Sequence, residues 1–357
     1  MLITNLKLEN FRNYNELNLD FHDNVNIFYG NNAQGKTNII ESIFLCAIGK
    51  SFRTSRDKEL LKFDEKFLKI EVNYKKSDRD GKIRIEISDK KSVFINGIKT
   101  KKLSELLGKI NVVLFTPDDI NILKNGPKMR RRFLDIMISQ LRPNYIYCLN
   151  MYLKTLEQRN IYLKQIKIDK KSADLLDIWD LKLVDYGEKI YNYRQEFINK
   201  IKEKIGIIHN NVTSNNEKID IKYISDFSTK EEFYEKIKIH RNIDILRGST
   251  SKGIHKDDFE IFLNDKSVNT YGSQGQNRTA ILSLKMSELQ VIKDEIGENP
   301  ILLLDDFMSE LDSERRNNFL KNIGDTQVIV TCTDKLDIDK LDYYMYNVMD
   351  GEVFFEK

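Results

Sequence analysis

Residues 25–37 read Val25-Asn26-Ile27-Phe28-Tyr29-Gly30-Asn31-Asn32-Ala33-Gln34-Gly35-Lys36-Thr37. Five mostly apolar residues run into Gly30, and the next eight match G-x-x-x-x-G-K-[ST] without exception. The residues that follow, TNIIESIFLCAI at 37–48, are apolar on most helical faces, as a buried helix is. Strand, glycine loop and buried helix in this order predict a phosphate-binding loop. The glycines let the backbone curl so that its N–H groups face phosphate oxygens, and the helix N-terminus adds partial positive charge. Gly30, Asn31, Asn32, Ala33, Gln34, Gly35, Lys36, Thr37 and the adjoining Asn38 are the expected nucleotide-binding residues. Lys36 is expected at the β- and γ-phosphates and the Thr37 hydroxyl on Mg²⁺. ATP and Mg²⁺ are therefore the expected cofactors.

Such a loop needs a carboxylate at the end of a neighbouring strand. Ile301-Leu302-Leu303-Leu304-Asp305-Asp306 supplies four apolar residues and then two acids. Asp305 falls at the carboxyl end of a buried strand, where ligands collect in open α/β sheets, and is the expected second Mg²⁺ residue. Asp306, one residue on, is placed to polarise an attacking water, which makes Asp306 and Lys36 the expected catalytic pair.

The rest of the chain organises around these two points. Alternating or apolar runs at 2–8, 17–21, 67–74, 82–87, 92–95 and 111–115 read as strands, with Asn96-Gly97 as a hairpin turn. After Pro117 the spacing becomes helical. From Asp174 apolar residues recur every three or four positions as far as Ile208, one helix of roughly 34 residues packed antiparallel on its predecessor. Strand character returns at 219–224 and 258–263, a helix at 277–293, a second buried parallel strand at 327–332, and a final hairpin turned at Asp350-Gly351. The expected architecture is an α/β ATPase head with a helical insertion: 1–125, an insertion at 126–245, and 246–357, the first and last parts meeting in space.

Composition narrows the function. The 357 residues carry 58 basic and 55 acidic side chains, a near balance that hides a gradient. Residues 1–150 hold 27 basic and 18 acidic groups, while residues 251–357 hold 12 and 21. A basic first part suits a polyanion. Three scattered cysteines exclude a disulfide framework and a Cys-rich zinc site. No basic leader and no apolar stretch of about 18 residues is present, so a cytoplasmic protein without a membrane span is expected.

Further motifs point to a family. Tyr271-Gly272-Ser273-Gln274-Gly275-Gln276-Asn277-Arg278 resembles the signature segment of ABC-type ATPases, and Ser309-Glu310-Leu311-Asp312 resembles their D-loop. The order of motifs resembles the SMC-like branch. LKLENFRNYNEL at 6–17, GKSFRT at 49–54, LFTPDDINILKNGPKMRRRFLD at 114–135 and GIHKDDFEIFLN at 253–264 resemble the RecF family within it. The resemblance implies that Ser273, Gln274, Gly275 and Gln276 contact nucleotide held by a second copy, with Ser309 and Asp312 at the same junction. ATP then drives homodimerisation, because it binds the dimer better than the monomer. It implies a slow, DNA-stimulated ATPase clamp on gapped, double- or single-stranded DNA in recombinational repair, with RecR as partner and RecO and RecA in the pathway. It also sets Arg12 and Asn13 near the nucleotide base.

There are departures from the pattern. Phe52 stands where relatives often have His. Asp306 replaces the usual Glu, no Gln loop is visible at 115–120, and Thr331 and Thr333 stand where a switch His is common. Slow turnover is the expected consequence. The alternatives are an ATPase subunit of a nuclease or phage-defence system, and a scaffold stabilised by nucleotide.

Other clusters have two readings. Arg130, Arg131 and Arg132 point about 100° apart around a helix, so DNA contact or an ion-pair cluster with Asp118 or Asp119 are both open. Arg53 joins them as a DNA candidate. His255, Asp257 and Asp258 suggest a metal, but alternation along a strand lets only His255 and Asp257 share a face, so a structural role is expected. Trp179 and its Tyr-rich neighbours fit a helix core.

Overall fold

The computed structural model describes residues 1–169, 172–213, 217–307, 319, 323–335 and 342–357. Two compact units emerge, one mainly from Met1–Asp119 and Lys285–Lys357, the other mainly from Ile120–Asn210 and Asn215–Leu284.

The first unit is built on two sheets. Strands β1 (Leu2–Phe11), β2 (Tyr14–Asp20), β4 (Leu68–Lys75), β5 (Asp80–Ile87), β6 (Lys91–Ile95) and β7 (Ile98–Lys99) form an antiparallel sheet in the order β2-β1-β4-β5-β6-β7. Strands β3 (Val25–Tyr29), β8 (Val112–Phe115), β12 (Ile301–Asp305), β13 (Val328–Cys332), β14 (Tyr343–Met349) and β15 (Glu352–Phe355) form the other, in the order β15-β14-β3-β13-β12-β8. All its pairings are parallel except β14–β15. Helix α1 (Lys36–Ile48) packs against strands of both sheets. That position explains its sequence, since Ile39, Ile40, Ile43, Phe44, Leu45, Cys46 and Ala47 are all buried. Truncating Ile43, which is wholly buried, would cost about 2–5 kcal/mol. A buried amide, Gln327, stitches the sheets together: it accepts from the Ile3 N–H at 2.7 Å and donates to the Ile3 and His22 carbonyls at 2.9 Å.

The turns obey local chemistry. Asn96 and Gly97 both have positive φ (50° and 83°), the arrangement a two-residue hairpin needs, and Ile95 pairs with Ile98. Asp350 and Gly351 repeat it at 51° and 78° between β14 and β15.

The second unit holds α2 (Asn121–Lys124), α3 (Pro127–Leu141), α4 (Pro143–Asp169), most of α5 (Leu176–Val212), α6 (Lys230–Arg247), α7 (Val268–Tyr271) and the start of α8 (Gln274–Ile296). A three-stranded sheet joins them, β11-β10-β9, with β9 at Ile219–Ile224, β10 at Asp258–Leu263 and β11 at Lys266–Ser267. The helical run from 128 is broken at Arg142, which the following proline forces into an extended conformation. Helix α5 spans 37 residues, close to the expected length. It runs antiparallel to α4: Arg194 reaches Tyr145 at 3.0 Å, and Arg159 reaches Asp180 at 2.6 Å. Trp179 packs on Leu163, Ile166 and Leu176 as part of a helix core.

Buried arginines fix this unit. Arg159 is fully buried and bonds Asp180, Asp244 and the Thr250 hydroxyl. Removing one partner from such a cluster leaves an unpaired buried charge, costing about 3–5 kcal/mol.

The observed units depart from the expected boundaries at 126 and 245. Strand β10 pairs residue for residue with β9, from Asp258↔Ile224 to Leu263↔Ile219, which keeps 258–267 with the helices. The first unit resumes at Lys285, within α8, so the segment 273–276 belongs with the helical unit and not with 301–357. Helix α6 is not among the elements expected from the sequence. Among the described residues no helix is long and apolar enough to cross a membrane.

Candidate nucleotide site

Strand β3 ends at Tyr29 and α1 begins at Lys36, so the loop between them is the glycine loop read from the sequence. Its outer glycines are required by space. A Cβ on Gly30 would lie 2.3 Å from the Val348 carbonyl oxygen, and one on Gly35 would lie 2.6 Å from the Asn13 amide, both at positive φ. Gly35 is the N-cap of α1 and offers no side-chain cap, and the first turn contains no acid. The positive end of the helix is thus left without an anion of its own. Lys36 curls back over the loop, donating to the Gly30 and Asn31 carbonyls at 2.6 and 2.7 Å. Burial pulls its pKa below the usual lysine value, opposed by the charges of Asp306, Cys332 and Asp305.

Asp305 closes β12 beside the loop. The Thr37 hydroxyl donates to Asp305 Oδ1 at 2.8 Å, and the Thr331 hydroxyl donates to the same oxygen at 2.9 Å. Burial raises the Asp305 pKa, the two hydroxyls and Arg53 lower it, and Asp306 raises it. Asp306 leaves the strand line at φ 49°, its N–H held by Thr331 Oγ1 at 3.0 Å. Hydroxyl and carboxylate oxygens converging this way form a hard donor set that fits Mg²⁺.

The ends of the chain hold the loop in shape. Asn13 Nδ2 donates to the Gln34 carbonyl at 2.8 Å, Asn13 Oδ1 accepts from Asn38 Nδ2 at 2.7 Å, and the Tyr14 hydroxyl donates to the Gly35 carbonyl at 3.1 Å. From the other end, Gly351 N–H donates to the Gln34 carbonyl at 3.2 Å, and Asp350 N–H donates to the Gln34 side chain. Sequence reading had no signal for the Asp350-Gly351 support, nor for Thr331 as the clamp on Asp305 and Asp306.

Arg12, expected near the base, is tied down. Its guanidinium grips the wholly buried Glu41 with two bonds of 2.9 and 2.7 Å and donates to the Glu59 carbonyl at 2.7 Å. Arg53, expected among DNA contacts, donates to Asn38 Oδ1 at 2.8 Å and lies 3.4 Å from Glu41. The structure thus places it beside the nucleotide loop.

The arginine run separates by direction. Arg130 is buried, forks the Asp258 carboxylate at 2.6 and 2.8 Å and donates to the Ile122 and Leu123 carbonyls, so it is a structural residue with no free donor face for DNA. Its partner is Asp258, not Asp118 or Asp119. Arg131 is half-buried and donates to the Asp257 carbonyl at 2.7 Å, while Arg132 is exposed. His255 accepts from the Tyr152 hydroxyl at 2.8 Å and donates through Nε2 to the Thr250 carbonyl at 3.1 Å; burial lowers its pKa to about 4. Asp257 takes the Tyr223 and Ser225 hydroxyls at 2.6 and 2.9 Å. Both side chains are engaged by neighbours of their own unit, and among the described residues no group of three His, Cys, Asp or Glu is placed to hold a metal.

In the helical unit, Ser273, Gln274 and Gly275 are exposed at the start of α8. Ser273 and Gln276 cap each other: Ser273 N–H donates to Gln276 Oε1 at 2.9 Å, and Gln276 N–H donates to Ser273 Oγ at 3.2 Å. A Cβ on Gly275 would meet nothing within 4 Å. Ser309 and Asp312 of the expected D-loop lie outside the described residues.

A glycine loop on a buried helix, a strand-end aspartate on its threonine, and an antiparallel sheet on the same helix define an ABC/SMC-type ATPase head with a helical insertion. Residues 2–350 match the RecF/RecN/SMC N-terminal domain family. The chain belongs to the RecF family: it is 44% identical to the DNA replication and repair protein RecF of Lachnospira eligens over the whole of both chains. It is 46% identical to that of Clostridium kluyveri over 95% of each. A solved structure of the recombination mediator protein RecF with ATP, of the RecFOR pathway, superposes with a TM-score of 0.93 at 38% identity, covering 99% of this chain and 97% of that one. The Smc head of Pyrococcus furiosus, at 17% identity and a TM-score of 0.58, shares the fold.

Proposed function

We propose that this chain is an ATP-dependent DNA-binding protein of recombinational gap repair and replication restart, which dimerises on ATP to clamp DNA. The reading rests on its family and, above all, on one observation. Lys36, Thr37, Asp305 and Asp306 converge beside an uncapped helix end in one unit, while Ser273 and Gly275 stand exposed in the other.

On this reading Lys36 exchanges the Gly30 and Asn31 carbonyls for phosphate oxygens, and the N–H groups at the start of α1 receive the remaining phosphate charge. Thr37 and Asp305 hold Mg²⁺, which supplies charge neutralisation at the phosphates when bound. Asp306, oriented by Thr331, accepts a proton from water; being shorter than Glu it supports slow turnover, and stimulation by DNA follows from the family resemblance. Ser273 of one copy donates to the γ-phosphate held by the other, since its oxygen already accepts from Gln276 and its proton is left to give. Loss of that phosphate on hydrolysis releases the pair. RecR as partner, with RecO and RecA in the same pathway and loading of RecA on single-stranded gaps as the outcome, follows from the family resemblance.

The test is particle size and DNA retention of the Asp306→Asn protein with and without ATP. Gapped, double-stranded and single-stranded DNA are compared at fixed salt, because phosphate contacts make affinity salt-dependent. ATP should convert monomer to dimer and raise DNA affinity. A protein that stays monomeric with unchanged DNA affinity refutes the clamp.

A further inference from the structure

The Gln276 amide is one of the side chains that hold the exposed start of α8 in shape, beside Asn277 on the Gly272 carbonyl and Thr279 on the Gly275 carbonyl, and its orientation is set from outside the helix. Gln276 Oε1 receives the Ser273 N–H, so its Nε2 must face the other way. There it donates to Glu217 Oε1 at 2.8 Å. A carboxylate can only accept, whereas an amide can present either end. Were Gln276 turned over, its NH₂ would face the Ser273 N–H and its oxygen would face the carboxylate, placing donor against donor and acceptor against acceptor. Glu217 thus selects the one rotamer that completes the cap.

Glu217 stands beside a buried histidine. It lies two residues before β9, and its Oε2 is 3.8 Å from Nε2 of His209, a fully buried residue near the end of α5. His209 Nδ1 meets the Ser283 hydroxyl at 2.9 Å, and Ser283 donates to the Thr279 carbonyl one turn earlier in α8. His209 thus meets the first turns of α8 from the end of α5, and Glu217 meets them separately, from the approach to β9, through the Gln276 amide.

We propose that Glu217 is a positioning residue for the segment Ser273–Gln276, acting through the Gln276 amide, so that the approach to β9 shapes the surface offered to a second copy of this chain. The inference rests on the reading that Ser273 contacts nucleotide in trans. On that reading Glu217 acts only through the Gln276 amide, so its effect belongs to dimer formation and not to nucleotide capture by the monomer.

Three substitutions at one half-buried position separate this role from mere packing. In the Asp306→Asn background, ATP-driven dimerisation is measured by sedimentation, beside ATP affinity of dilute monomer and thermal melting. Glu217→Lys puts a donor where an acceptor stood and turns the amide over; it should weaken the dimer roughly tenfold, about the worth of one hydrogen bond to a charged group. Glu217→Ala, which frees the amide without forcing it, should fall between. Glu217→Gln can still present an oxygen and should recover dimerisation to within about twofold of the parent. Monomer ATP affinity should be the same in all three. If Glu217→Lys and Glu217→Ala both dimerise like the parent, the proposal is overturned. Ser273→Arg, run alongside, tells which idea failed: if it too dimerises normally, the reading in trans is wrong, and the positioning role falls with it. A melting loss in the Lys protein alone leaves the Ala and Gln pair to decide.

Discussion

Helices α1 and α8 both begin at a glycine-containing turn, yet their first turns are finished in opposite ways. At α1 the N-cap is Gly35, no side chain caps it, and the nearby lysine satisfies itself on loop carbonyls. At α8 a serine and a glutamine close the cap reciprocally, and the glutamine is fixed by a carboxylate. An unfinished helix end keeps N–H groups and dipole for an incoming anion. A finished end gives up that capacity in exchange for a fixed outline carrying one hydroxyl. The first suits capture of a phosphate chain; the second suits recognition of a phosphate already held elsewhere.

Substitutions can break this contrast. The largest effect is expected for Asp306→Asn, which removes the proton acceptor and keeps the size. ATP turnover should fall roughly 10²- to 10³-fold, the scale of general-base catalysis, while ATP binding persists. A protein that turns over normally would move the acceptor elsewhere. Next comes Lys36→Met. Loss of the cation that replaces loop carbonyls by phosphate should weaken ATP binding about 100-fold, as expected for charge-assisted bonds, measured by equilibrium titration. If DNA or partner binding survives without ATP binding, the nucleotide is a structural ornament of a scaffold. Thr331→Val then sharpens the account of the first site. It removes the donor to Asp305 and the acceptor for the Asp306 N–H without changing shape. Turnover should drop about tenfold with ATP affinity nearly unchanged, since each bond is worth about 1 kcal/mol.

Much of the first site could be read in advance because its chemistry is local. Eight consecutive residues form the loop, and a buried strand ending in two acids can hardly be placed elsewhere. The supports were not legible. Gln34 is held by residues 13, 350 and 351, and nothing in a local pattern encodes contacts across more than 300 positions. Thr331 looked like a missing histidine; only the register of β12 with β13, Asp305 opposite Thr331, reveals its work. The run Arg130–Arg132 shows a different limit. Helical spacing says that the three side chains diverge but not which one turns inward, and the buried choice, Arg130, was decided by an aspartate on β10. The compact unit runs past 245 for the same reason, because β9 and β10 pair across the intervening α6.

The smallest effect isolates what the finished end of α8 is for. Ser273→Ala removes both the cap acceptor and the hydroxyl, so it should cost about 1 kcal/mol of helix stability and weaken ATP-driven dimerisation about fivefold. That result alone mixes two causes. Ser273→Asp separates them, because aspartate caps as well as serine and favours the positive helix end, yet carries negative charge toward an incoming phosphate. Its melting should match the parent while its ATP-driven dimerisation falls below that of Ser273→Ala. If the Asp protein instead dimerises like the parent, no phosphate approaches this turn, and the contrast between the two helix ends reduces to one of capping alone.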